Sequence, residues 1–414
     1  MAAGPSTPRP APPVVAFVDL DNRSDVPDAA IRARLRIPLA QPLDLEQLRN
    51  DFAKLYGMEL FEQVSFDLTR RTGPNGEEQT GLLIHLSGKS WGPHYLRTGV
   101  TLQAASNGDN TYGLRFGLLS TGLSHWGAEW RNDVLLGTEH FLVSEWYQPL
   151  DPEGVWFVAP RAEERRYPRG VYSGDQQTAK YQVRLERIAL DLGTTFGDNA
   201  WEGRAGIVKE WVQQSRQVGP VGLNPTSIQQ VALTVGIKRD TLDAPAFPRE
   251  GQQGHVTLTT VPRQFGAQAP YHKVSAALGQ VFSWHEFTVY GLAQGESSLN
   301  SQTPIYDLAT QGGLFHLSGY PQGGLSGQHA VLGSLVAYQR LARFPTGLGS
   351  GAFAGGSLET GSAWNGALKT NLNTWVAAGS LFVGTNTAAG PLTLALAYAG
   401  RSRWAGYLVI GQVF

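Results

Sequence analysis

Three serines of this chain stand close to glycines: Ser124, Ser326 and Ser357. A serine nucleophile on an esterase-type elbow needs Gly-x-Ser-x-Gly, because the sharp strand-to-helix turn leaves no room for flanking side chains. None of the three has that spacing. The nine histidines, among them His125, His140, His316 and His329, are scattered without metal-ligand spacing. Histidines hydrogen-bonded within a wall or loop explain them better than a site does. Cysteine is absent, which removes disulfides and thiolate metal sites. Lys and Arg number 33 against 34 Asp and Glu, so no basic surface calls for a nucleic acid. The chemistry-bearing residues thus predict no catalytic residue, no metal site and no cofactor.

The elements carry more information. Only 16% of residues are charged, against about 25% in soluble domains. Glycine (50) and tryptophan (11) are frequent. No run of 18 apolar residues exists, so no transmembrane helix is expected. Two classes remain, a large soluble β protein and a membrane barrel. Apolar residues alternate with small or polar ones in many segments: Tyr112, Leu114, Phe116 and Leu118; Tyr181, Val183 and Leu185; Val231, Leu233, Val235 and Ile237; Leu392, Leu394, Leu396 and Tyr398. That period of two predicts strands with one greasy face, read here as facing lipid. Charges of both signs stand together on the other face, as in Glu129, Arg131 and Asp133 or Glu202, Arg204 and Glu210. Paired charges suit a wet lumen. Aromatics such as Trp126, Trp130, Trp146, Tyr147, Trp156, Trp201, Trp211, Trp375 and Trp404 mark segment ends, as interfacial girdles require. Lys209 breaks the pattern by falling on the greasy face.

Counting from about Tyr95 gives sixteen antiparallel strands over residues 92–414. Asp151 to Gly154 and Phe196 to Asn199 read as short turns. The longest connection, at about 297–326, lies between the eleventh and twelfth strands. Its glycines and its Leu314, Phe315, Leu317, Tyr320 and Leu325 predict a loop folded into the lumen. The last stretch, Trp404 to Phe414, reads as a closing strand that pairs with the first.

Residues 14–89 read as a small βααββ domain. Val14 to Asp19 is its first strand and Asp25 to Arg36 its first helix. Asp44 and Gln47 form a capping box for a second helix whose Leu45, Leu48, Phe52, Leu55 and Tyr56 share a face. Val64, Phe66 and Leu68 alternate in a second strand, and Thr80 to Ser87 is the third. Residues 1–13 are a Pro-rich linker without the apolar core of a signal peptide.

The small domain, with its run Leu60 to Phe66, resembles a POTRA (polypeptide-transport-associated) domain. Leu317-Ser318-Gly319-Tyr320 occupies the place of the Val-Arg-Gly-Phe/Tyr signature of the BamA-like superfamily. This form, followed by Leu325-Ser-Gly-Gln-His329, the strand Val331 to Leu341, Gly355 to Trp364 and the closing Ile410-Gly411-Gln-Val-Phe414, is most similar to the patatin-like branch. The resemblance covers about 400 residues and implies a sixteen-stranded outer-membrane barrel with a periplasmic POTRA domain. It implies an N-terminal patatin-like lipase passenger upstream of the linker, as in a type V autotransporter. No βαβ alternation precedes Val14, so this chain itself is expected not to be an enzyme. Ser318 stands where the signature has Arg. The family's contact from that Arg to a wall carboxylate is therefore expected to be lost, with Glu359 left for another lumen partner.

The resulting expectation is a translocator and anchor in the bacterial outer membrane. Its expected partners are membrane lipid, the barrel assembly machinery and its own passenger; a homodimer is one arrangement allowed. An assembly or insertion factor of the BamA-like type is the alternative. A barrel hydrolase is opposed by the lack of elbow spacing at Ser124, Ser326 and Ser357, and a soluble sandwich by the terminal Phe414 and the aromatic girdle.

Overall fold

The computed structural model describes residues 12–24, 26–57, 60–73, 76–88, 94–105, 110–124, 126–173, 176–197, 200–219, 226–244, 246–343, 349–367, 374–387, 390–400 and 403–411. The chain forms two compact units, one holding the N-terminal domain and one most of a barrel. No described helix is long and apolar enough to cross a membrane, which says nothing of strands.

The N-terminal domain runs β1 (Val14–Val15), β2 (Phe17–Arg23), α1 (Asp28–Arg34), β3 (Gln41–Pro42), α2 (Leu45–Gly57), β4 (Phe61–Thr72) and β5 (Glu78–Gly88). The expected first strand is thus split: β1 pairs with β3, while β2 joins a three-stranded sheet of order β2-β5-β4. Strand β5 is central, parallel to β2 and antiparallel to β4. Leu82, Ile84 and Leu86 are buried on its core face, with Ile31 of α1 and Leu55 of α2. Helix α1 starts at Asp28 rather than Asp25 because Pro27, extended at φ −60° and ψ 139°, occupies the N-cap position. Asp44 caps α2, accepting from the N–H groups of Glu46 and Gln47 at 2.9 and 3.1 Å. The reciprocal half of the box is not made: Gln47 donates to Asp51 at 2.8 Å instead. On the other sheet face His85 lies between two carboxylates, with Nδ1 2.9 Å from Asp21 and Nε2 3.2 Å from Asp67. The bond to Asp21 holds the His85 pKa above its ordinary value, and the same bond holds Asp21 below its own.

The barrel strands are β6 (His94–Ala105), β7 (Thr111–Ser120), β8 (Glu129–Gly137), β9 (His140–Pro149), β10 (Trp156–Ser173), β11 (Gln176–Phe196), β12 (Trp201–Val218), β13 (Thr226–Asp240), β14 (Gln252–Val261), β15 (Tyr271–Trp284) and β16 (Phe287–Ser297). A long connection then carries the two-stranded ribbon of β17 (Ala309–Gln311) and β18 (Leu325–Gly327). The wall resumes with β19 (His329–Ala342), β20 (Gly349–Trp364), β21 (Val376–Thr387), β22 (Gly390–Ala399) and β23 (Arg403–Ile410). Sixteen strands close the barrel by pairing β23 with β6. That closure spans six paired positions, from Ala405 opposite Ala105 to Ile410 opposite Val100. The β11–β12 ladder has seventeen.

Leu358, Leu381 and Leu396 point outward and are 74%, 75% and 71% exposed, as part of a belt of large apolar side chains. Tyr112 to Leu118, Leu233 to Ile237 and Leu394 to Tyr398 belong to it. The segment Tyr181, Val183 and Leu185 does not. These three are buried toward the lumen, and Gln182, Arg184 and Glu186 are the outward residues. Lower on β11 the outward residues are Ile188, Leu190 and Leu192. A period of two fixes that one face is greasy but not which face meets which medium. The polarity reverses between Glu186 and Ile188, whose partners on β12 are Trp211 and Lys209. Lys209 therefore does face outward, at the edge of the belt, with its Nζ 5.7 Å from the Trp211 ring. Tyr147 differs from the girdle residues around it, since its ring packs on the fully buried Phe157 at 4.5 Å.

Candidate functional site

The connection between β16 and β19 enters the lumen and is held at two places. In its first half Tyr306 is buried. The Tyr306 carbonyl accepts from Tyr167 Oη at 2.8 Å and Arg169 at 3.3 Å, and its hydroxyl accepts from Gln230 at 2.8 Å. Next to it Asp307 accepts from Tyr271 Oη at 2.8 Å and pairs with Lys273 at 3.2 Å. The ribbon β17–β18 then holds the tip as a closed excursion.

The tip carries Leu317, Ser318, Gly319 and Tyr320, all buried or, for the glycine, in tight contact. Phe315 and Leu317 sit at φ +65° and +74°, a region that costs a non-glycine residue about 1–3 kcal/mol. Burial and bonding must outweigh that strain. Ser318 supplies the bonds. Its N–H donates to Glu359 Oε2 at 2.6 Å, its hydroxyl donates to Glu359 Oε1 at 2.7 Å, and the same hydroxyl accepts the Phe315 N–H at 2.9 Å. Ser357 also donates to Glu359, and its hydroxyl lies 2.6 Å from that of Ser380. The contact between position 318 and a wall carboxylate, expected to be lost with the signature Arg, is thus made through a neutral serine. Gly319 has φ +96°, and a Cβ there would lie 3.1 Å from Ala399. Its N–H donates to Tyr407 Oη on β23 at 2.9 Å. The Tyr320 carbonyl accepts from Gln103 on β6 at 3.3 Å, and the Tyr320 ring lies under Arg403 at 4.6 Å. The tip therefore bonds to both strands of the closing seam. Ile410 pairs with Val100 and Leu392, and the Gly411 N–H donates to the Pro391 carbonyl at 2.8 Å with φ +118°. Phe414 lies outside the described residues.

The lumen has two unlike sides. One is dry: Phe315 of the tip packs edge-on to Phe382 at 5.2 Å, and Phe247 stacks on Phe353 at 4.5 Å. Phe247 comes from the turn between β13 and β14, which folds inward and lets Tyr338 donate to the Pro248 carbonyl. Glycine at 384 makes room, since a Cβ there would meet the Phe247 ring. Sequence reasoning missed this turn. A single aromatic in Asp243-Ala-Pro-Ala-Phe-Pro248 has no period to betray it. The other side is wet. Arg204 reaches Glu202, Glu145 and Asp191 at 2.6, 2.8 and 3.6 Å, and Arg187 reaches Glu210 at 2.7 Å. A cavity of about 640 Å³ opens beside them.

The histidines do not converge. His329 Nδ1 lies 2.8 Å from Ser297 Oγ and its Nε2 3.1 Å from the Gly366 carbonyl. His316 bonds the Leu314 carbonyl at 3.2 Å, His140 is exposed, and His125 lies outside the described residues. Among the described residues no group of His, Asp and Glu could hold a metal ion. Ser357 is committed to Glu359, and Ser124 to capping the Trp126 and Ala128 N–H groups. The arrangement can hold a loop inside a barrel; no nucleophile–base pair is assembled at its tip.

The fold has counterparts among solved structures. In fold, the chain is similar to BamA and CdiB. The structure of BamA from Haemophilus ducreyi lacking POTRA domains 1-3 matches with a TM-score of 0.67 at 12% identity, over 96% of this chain and 85% of that one. CdiB from Acinetobacter baumannii matches at 0.64 and 11%, over 96% and 74%. CdiB from Escherichia coli matches at 0.61 and 11%, over 96% and 77%. At such identities the likeness is one of fold. No protein-family model and no curated protein matches the sequence.

Proposed function

We propose that this chain is a bacterial outer-membrane translocator, whose barrel anchors and conducts or presents a polypeptide attached at its N-terminus. The observation that carries the reading is the loop between the eleventh and twelfth strands, bonded into the wall of a closed barrel with an apolar outer belt. Trp201 and Trp211 bound that belt on β12, ten residues apart. At about 3.3 Å per residue and a tilt of about 40°, they stand roughly 25 Å apart in height, the thickness of an outer-membrane apolar band. The N-terminal domain is read as a periplasmic POTRA domain. Its sheet order and two helices support this, as does a BamA match too extensive to leave the domain out. A patatin-like lipase as passenger rests on the tip and closing-strand motifs alone. The short β23–β6 ladder favours the second reading, a factor that inserts other barrels.

The test is expression in a bacterial outer membrane with a folded reporter fused before residue 1. Heat-modifiable mobility of the membrane fraction, with the reporter cleaved by protease added to intact cells, supports the translocator. A reporter that stays protected on a folded barrel refutes it. Loss of other outer-membrane barrels on depletion of the chain would favour the insertion factor.

A further inference from the structure

We infer that the wet side of the lumen contains a binding pocket for small anions, centred on Lys238 and His255. Both face the 640 Å³ cavity, from adjacent strands and in direct register. Among the described residues neither side chain has a hydrogen-bond or ion-pair partner, whereas the acids around them are engaged. Glu202, opposite Lys238 on β12, gives its carboxylate to Arg204 at 2.6 Å. Glu145 and Asp191 are shared between Arg204 and the neighbouring Arg131 and Arg161. Asp240, two residues from Lys238, accepts the Leu242 N–H at 3.3 Å. The cavity therefore pairs its carboxylates with arginines on one side and leaves an ammonium and an imidazole unmatched on the other. Thr257, on the same face as His255, adds a hydroxyl donor, and His316 of the loop tip also borders the space.

An unmatched cation in a cleft with low-dielectric walls concentrates solutes of opposite charge. The chemistry on offer is an ammonium, a hydroxyl and an imidazole, which together suit a carboxylate, sulfonate or phosphate group. The pocket lies apart from the tip bonds of Ser318 and Gly319, so it stands whether or not the chain translocates a polypeptide.

The absence of cysteine makes a direct test possible. A His255→Cys barrel, folded as judged by heat-modifiable mobility, is treated with two thiol reagents of the same class, one carrying a sulfonate and one a trimethylammonium. Taking the ratio of their rates cancels any effect of Lys238 on the thiol itself. Relative to a free thiol in solution, the sulfonate reagent should be favoured about tenfold. Adding Lys238→Gln should bring the ratio back to about one, and inorganic phosphate should slow the sulfonate reagent in the Lys238 parent. A thiol at Thr234, on the arginine–carboxylate side, should show no preference. If His255→Cys does not fold, Thr257→Cys reports on the same face. Equal relative rates, a preference that survives Lys238→Gln, or a folded barrel unreactive to both reagents would each overturn the inference.

Discussion

Ser318 makes the wall contact that was expected to be lost at its position. An Arg reaches a carboxylate across several ångströms; here the backbone N–H itself lies 2.6 Å from Glu359. Ser318→Arg should therefore destabilise the barrel, because a fully buried position has no room for a guanidinium. Ser318→Ala should cost about 1–3 kcal/mol, since the hydroxyl's bonds to Glu359 and from the Phe315 N–H are both lost while Ser357 and the backbone still serve Glu359. Urea midpoints read by heat-modifiable mobility should rank parent, then Ala, then Arg; an Arg variant as stable as the parent would show unused space at the tip. His85 offers a second residue-scale check. Its raised pKa means that its pairing with Asp21 contributes fully below the ordinary imidazole value and fades as pH rises through the folded one. Asp21's lowered pKa sets the acid limit, where the pairing fades as pH falls through it. Asp21→Asn should move the His85 midpoint down, measured by NMR on histidine-labelled protein. An unmoved midpoint would mean that the pair does not form in solution.

Among the elements, the strands were the most legible from sequence and the inward turn the least. Alternation located most of the wall, because a half-buried strand must repeat every two residues. It misassigned Tyr181, Val183 and Leu185 because their greasy face meets the loop rather than the outside, a tertiary fact without local signal. Glycine density and apolar residues located the loop. Its charged anchor, Asp307 on Lys273, was not visible, since neither residue belongs to a motif. The tip and the Phe247 turn share one aromatic cluster, and Phe382 lies 5.2 Å from Phe315 and 6.3 Å from Phe247. Deleting residues 312–322 should therefore clear only part of the pore. In planar bilayers the parent should show small, flickering conductance. The deletion should give a larger one, and Phe247→Ala in that background should raise it again. No gain from Phe247→Ala would mean that the turn does not obstruct flow.

For the molecule as a whole, the glycine-flanked Ser124 and Ser357 are both engaged in structural hydrogen bonds. The purified chain should release no fatty acid from phospholipid vesicles. Sustained turnover that is abolished by a single serine replacement would sink that expectation and reopen the barrel-hydrolase reading.

The reversal of polarity on β11 also has a consequence for the backbone. Above Ile188 and Lys209 the ladder of β11 and β12 continues through Tyr181 and Arg216 with polar residues on its outer side. In the proposed membrane setting those amides stand in water, while the amides below are sheathed by acyl chains. Deuterium uptake by the folded protein in a bilayer should therefore change abruptly along a single continuous strand. The step should fall near Glu186 on β11 and near Trp211 on β12, and a bilayer of longer lipids should move it upward on both. The wall would then act as a ruler, with its own amide protons recording where the membrane surface stands.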